Sequence, residues 1–176
     1  MAEMKPKDFI QKVLINEIGI IKEQHAYISF ALMAIGIEFL GKALNNYDNW
    51  GEPHRGRKDF ELAIKSLNSF VQYRPLLSSY DLCDSLRNGF AHSFVPKGKI
   101  SLSSGNNETG HLIENSTNTK INLRCEDFYK DFANACSEVI NMTTFPNNKM
   151  ENPLLRVPDI SNGLNTENSN SGSTMN

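Results

Sequence analysis

Six consecutive residues, Arg87-Asn88-Gly89-Phe90-Ala91-His92, gather three side chains suited to chemistry on a phosphate. The Arg87 guanidinium is always charged and presents a planar fork to phosphoryl oxygens. The His92 imidazole takes or gives a proton near neutral pH, and the Asn88 carboxamide can orient either partner. On a regular helix Asn88 and His92 are four apart and share a face, flanked by Asp84 and Ser85. The apolar stripe Leu82, Cys83, Leu86 and Phe90 points nearly opposite, which places His92 outside the core. Arg87 lies about 140° around the helix from His92, so the two do not converge on one atom within one regular helix. A two-fold dimer packing this helix on its symmetry mate would bring them together, and so would a loosening of the helix near Gly89.

The elements that must position this hexapeptide are helical. Pro6 and Asp8 open a first helix with Ile10, Val13, Leu14, Ile18 and Ile21 at helical spacing. A second, about 24–44, is apolar nearly all round and should be surrounded by other helices. Glu38 is the lone acid in it and reads as a side chain emerging near the helix end, with support of the hexapeptide as the alternative. The spacing of Phe60, Ala63, Ile64, Leu67, Phe70 and Val71 predicts a third helix over 57–71, stopped by Pro75. The fourth begins near Ser78 or Ser79, either of which would cap it, with Asp81 in its first turn. It ends before Pro96 and Gly98.

Beyond it the period changes to two. Residues 99–103 and 119–123 alternate, Ser104 to Gly110 reads as a turn, and residues 111–113 read as a short middle strand, which together predict a β-meander over 99–123. A fifth helix comes next at 125–142, with Phe128, Phe132, Ala135, Cys136, Val139 and Ile140 on one face. Periodicity is lost from Thr143, and 161–176 is Asn, Ser, Gly and Thr almost throughout, too polar to offset the entropy of ordering.

Arg-Asn-x-x-x-His closing the last helix of a small four-helix bundle resembles the HEPN family. The resemblance covers 6–96 and, less closely, the strands and last helix. It implies a mainly α fold, an up-down four-helix bundle with the meander and fifth helix appended. The domain would span 1–142 (bundle 6–96, meander 99–123, helix 125–142), with a disordered tail at 143–176. It further implies a metal-independent endoribonuclease, a homodimer with a composite site. Single-stranded RNA would be cleaved as its 2′-hydroxyl attacks the adjacent phosphorus, leaving a 2′,3′-cyclic phosphate. Arg87, Asn88 and His92 would be catalytic, with no cofactor and no metal. Such proteins act as toxins or antiphage defence elements, often beside a neutralising antitoxin. The other readings are a non-catalytic HEPN-like dimer that binds nucleotide, RNA or protein, and a helical interaction protein whose hexapeptide is coincidence. Coincidence alone would yield an Arg-Asn-x-x-x-His about 0.02 times in a chain of this composition.

Bulk properties set outer bounds. A 176-residue chain with 39% apolar and 22% charged residues is an ordinary globular composition. With net charge -2, RNA contact requires a local patch, for which Arg55, Arg57, Lys58, Lys97 and Lys99 are the candidates; the plainer reading of the first three is a solvated loop and helix start. Three cysteines without Cys-x-x-Cys spacing suggest reduced thiols and a cytoplasmic location. The uncharged run in the second helix is twelve residues against the ~20 of a membrane span, so no membrane is expected. No nucleotide-binding glycine loop, nucleophile elbow or metal-ligand cluster is visible. Arg87 pairing with Asp84 or Asp81, and His92 capping the helix end, are the plain readings of the hexapeptide.

Overall fold

The protein is seen in a computed structural model that describes residues 4–105, 110–152 and 154. Helix α1 is one helical run over 6–24. Its regular ends, Pro6–Phe9 and Ile18–Gln24, flank a wider-wound Ile10–Glu17, where the Ile18 amide reaches back five residues to the Val13 carbonyl. After a break at His25, α2 runs Ala26–Leu44. It is the central element, packed against α1 and against the later helices α3, α5 and α6. Phe30, Met33, Ala34, Ile37, Leu40 and Ala43 are buried along it, as its nearly unbroken apolar sequence demands. By length and mean hydropathy (1.5) α2 also resembles a membrane span, and 56% of it is buried within the protein.

Helix α3, Gly56–Ser66, crosses α2 at close range. A Cβ on Gly41 would stand 1.7 Å from the Asp59 carbonyl oxygen, so only glycine permits this contact. The expected helix over 57–71 stops early. Leu67 is extended, and a tighter turn, Asn68–Tyr73, comes after it. The Glu138 carboxylate causes the restart, accepting the Asn68 and Ser69 amides at 2.8 and 2.7 Å and the Ser69 hydroxyl. The change of phase buries Phe70 and Tyr73 and leaves Val71, expected on the stripe, 58% exposed.

The fourth helix is likewise divided. Leu76–Ser79 forms the short α4, in which the Ser78 and Ser79 hydroxyls donate to the Pro75 carbonyl and cap no later helix. Asp81 then takes a left-handed backbone. Helix α5 consists of a wide-wound Cys83–Asn88 and a regular Gly89–Ser93, closed by Phe94 in the left-handed region.

Strands β1 (Ile100–Ser103), β2 (Ile113–Glu114) and β3 (Ile121–Arg124) form one sheet in the order β1-β3-β2. The expected meander is corrected: β1 pairs with β3 in parallel, and only β2 is antiparallel to it. Burial decides the order. Ile121, Asn122 and Leu123 are all buried and occupy the centre, whereas Ile113 and Glu114 are exposed and take an edge. The link 104–120 is long enough for a parallel crossover and carries β2 within it. Part of the expected turn at 104–110 lies outside the described residues.

Helix α6, Cys125–Asn141, lays Phe128, Phe132, Ala135, Cys136 and Val139 into the core, as its spacing predicts. The chain does not turn away at 143. Lys149 and Met150 are 1% and 3% exposed, and residues 147–149 cap the end of α2. Asn147 Nδ2 donates to the Ala43 and Asn45 carbonyls at 2.8 and 2.7 Å, and Lys149 Nζ to the Lys42 carbonyl at 2.5 Å. The missing periodicity predicts a tail from 143, and the structure corrects this: the contacts of the stretch are polar caps, which leave no periodic trace. The remainder, 155–176, lies outside the described residues.

Candidate functional site

Arg87 and Asn88 close the wide-wound turn of α5, where the Gly89 amide reaches back to the Asp84 carbonyl. This loosening precedes Gly89, and the step from Gly89 to Ser93 is regular. Leu82, Cys83, Leu86 and Phe90 are buried, so the predicted apolar stripe is the face on which α5 rests.

The guanidinium of Arg87 does not pair with Asp84 or Asp81. Its Nε donates to Glu38 Oε2 at 2.6 Å, with Nη2 2.5 Å from the same oxygen, and its Nη1 donates to Asn88 Oδ1 at 2.9 Å. Asn88 Nδ2 in turn donates to Asp84 Oδ1 at 3.1 Å, and Lys97 Nζ meets both Asp84 oxygens at 2.9 and 2.8 Å. Glu38, only 6% exposed, also takes Lys42 Nζ at 2.8 Å. Burial alone would raise the Glu38 carboxyl. The Lys42 and Arg87 contacts reverse this and hold it below the usual carboxylate range. Asp84 is also lowered, by its bonds from Lys97 and Asn88.

Two carboxylates thus face three cations, and the cluster keeps one positive charge over. The guanidinium is about one-fifth exposed. Of its five N–H groups, those turned to Glu38 and Asn88 leave donors on both Nη atoms for an incoming acceptor. Gly56, at the start of α3, lies against it. A Cβ there would come within 2.8 Å of Arg87 Nη2 and 3.2 Å of Glu38 Oε2.

His92 stands apart. It is exposed, in the last turn of α5, and forms no hydrogen bond or ion pair among the described residues. No contact joins it to Arg87 or Asn88 within the chain. Around it lie exposed apolar side chains: Phe94 at 70%, Val95 at 55% and Tyr27 at 45%, the last donating its hydroxyl to the Phe94 carbonyl.

The basic candidates are mostly engaged. Arg55 lies under the Tyr47 ring and bonds the fully buried Asp59. Arg57 bridges Glu61 and Asp81, and Lys97 is held by Asp84. Lys58 and Lys99 are exposed and make no ion pair among the described residues. Trp50 stacks on Phe39 with ring centres 4.7 Å apart, a cover over the bundle end.

The residue that sequence reasoning undervalued is Glu38. Its signal was present: one acid in an otherwise apolar helix must either emerge or find a cation, and it finds two. Among the described residues no group of three or more His, Cys, Asp and Glu side chains lies close enough together to hold a metal ion. In comparisons with protein-family models, with curated proteins and with solved structures, no match to the chain was found.

Proposed function

We propose that this protein is a HEPN-type, metal-independent endoribonuclease that cuts single-stranded RNA to 2′,3′-cyclic phosphate and 5′-hydroxyl ends. The observation that carries this reading is a division of labour along one helix: a half-buried arginine held in place by Glu38 and Asn88, and an exposed histidine with no partner among the described residues. His92 moves the protons, taking one from the 2′-hydroxyl or giving one to the leaving 5′-oxygen. Arg87 stabilises the charge that builds on the phosphoryl oxygens, and Asn88 fixes the plane of the guanidinium.

Because Arg87 and His92 do not meet within one chain, a second copy would supply the missing half. The apolar residues beside His92 offer a surface for it. The overall form would be the four-helix HEPN bundle made by α1, α2, α3 and α5. Buried free thiols and an RNA substrate suit a cytoplasmic protein, working as a toxin or antiphage element with a neutralising antitoxin. The second reading, a non-catalytic HEPN-like binding module, draws on the Glu38 pair, which would satisfy Arg87 as a purely structural link.

The test is incubation of wild type, Arg87→Lys and His92→Ala with single-stranded RNA in EDTA, followed by end-group analysis. Cyclic phosphate ends from wild type, lost in both variants, establish the ribonuclease. A folded but inert wild type, or variants that cut equally well, would give the binding module precedence.

A further inference from the structure

Away from this site, three side chains form a relay in which Tyr73 is buried and His111 and Asp131 are half-buried. His111, just before β2, presents Nδ1 to the Arg124 amide, where β3 passes into α6, at 3.0 Å. Its Nε2 lies 2.7 Å from the Tyr73 hydroxyl, which is also 2.7 Å from Asp131 Oδ2 on α6. Gln72 Nε2 donates to that same oxygen at 2.5 Å.

The bonding leaves no choice of tautomer. A nitrogen that receives a backbone N–H carries no proton, so the His111 proton is on Nε2. It points at Tyr73, whose own hydroxyl proton goes to Asp131. Three elements are joined through one neutral imidazole: the turn after α3, the loop entering β2 and the β3–α6 junction.

We propose that Tyr73, His111 and Asp131 form a pH-sensitive latch holding the sheet to the helical body, closed while His111 is neutral and opened when its ring takes a second proton. That proton would enter at Nδ1 and set two donors face to face, so the Arg124 amide loses its acceptor. Among the described residues, the charges facing the ring come from α6 and the β3–α6 junction. Asp127 and Asp131 favour protonation and Arg124 opposes it; the turn after α3 adds only the neutral Tyr73 and Gln72. Both carboxylates are already engaged, Asp127 by Arg124 Nε and Asp131 by Tyr73 and Gln72. Burial outweighs them and pushes the His111 pKa down.

A histidine whose folded pKa is depressed binds its proton more readily when unfolded. Stability is therefore complete above the unfolded value of about 6.5 and falls by up to tenfold in the folding constant per pH unit below it, until the folded pKa is reached.

The experiment is nuclear magnetic resonance on the whole chain, wild type and His111→Asn, from pH 7.5 to 5.0. Asparagine keeps an acceptor for the Arg124 amide but does not titrate. The expected result is a protonated Nε2 and bare Nδ1 at pH 7.5, with the Arg124 protection factor falling about tenfold toward pH 5 in wild type only. A proton on Nδ1 at neutral pH, or the same protection loss in both proteins, overturns the latch. Unchanged protection in wild type overturns it equally.

Discussion

Glu38 and Arg87 are 49 positions apart in sequence, and both Nε and Nη2 of the arginine lie within 2.6 Å of one glutamate oxygen. The link ties the central helix to the helix that carries the candidate site, and its failure would be felt in both stability and chemistry.

Replacing Glu38 with Gln leaves a mostly buried guanidinium and Lys42 without their counter-charge. A loss of about 2–3 kcal/mol is expected in urea denaturation at pH 7. The carboxyl is held below its unfolded pKa, so its contribution is full above about 4.3 and lost as pH falls through the folded value. Wild type should therefore lose stability more steeply than Glu38→Gln below pH ~4.3. RNA cleavage should drop about tenfold to a hundredfold through misplacement of Arg87.

His92 offers the opposite pattern. Exposed and without a partner among the described residues, it should be replaceable by Ala with a change in stability within about 0.5 kcal/mol. Cleavage, by contrast, should fall by about 10²–10⁴. Thermal melts and single-turnover assays on one preparation separate the two effects. Loss of fold in His92→Ala would assign this residue to the scaffold.

The α2–α3 crossing gives a purely structural test. Gly41→Ala would drive a methyl into the Asp59 backbone and should cost more than about 3 kcal/mol. Among the described residues nothing lies within 4 Å of a Cβ on Gly51, so Gly51→Ala should be neutral within about 0.5 kcal/mol. Comparable melting of the two variants would contradict the packing.

The cysteines should be silent in the native protein. All three are buried, and burial pushes the Cys83 and Cys125 thiols up to about 11 and Cys136 higher still. A disulfide-exchange reagent at pH 7.5 should label them at the rate of unfolding, and quickly only in denaturant. Prompt labelling of the folded chain would refute this.

Much of the scaffold was legible because it rests on periodicity. The stripes of α2 and α6, and the outward turn of His92 on α5, come from spacing alone. The features that escaped were decisions made by distant polar groups. Glu138 ends α3 at Ser66 by capping the next turn from 70 positions away, which no local pattern encodes. The strand order was set by which segment buries three consecutive residues, and β3 looks no different from β1 by alternation. Glu38 was visible as an anomaly, but its partner on α5 was not, because pairing between helices depends on how they cross.

The caps on α2 also bear on how the chain is made. The last carbonyls of that helix are satisfied by Asn147 and Lys149, more than a hundred residues downstream. During synthesis at about 5–20 residues per second, the end of the central helix therefore stands open for several seconds after its own turns have emerged. Throughout that interval the hydrophobic middle of the protein is assembled around an unfinished post, exposed to chaperones, until Lys149 has left the ribosome.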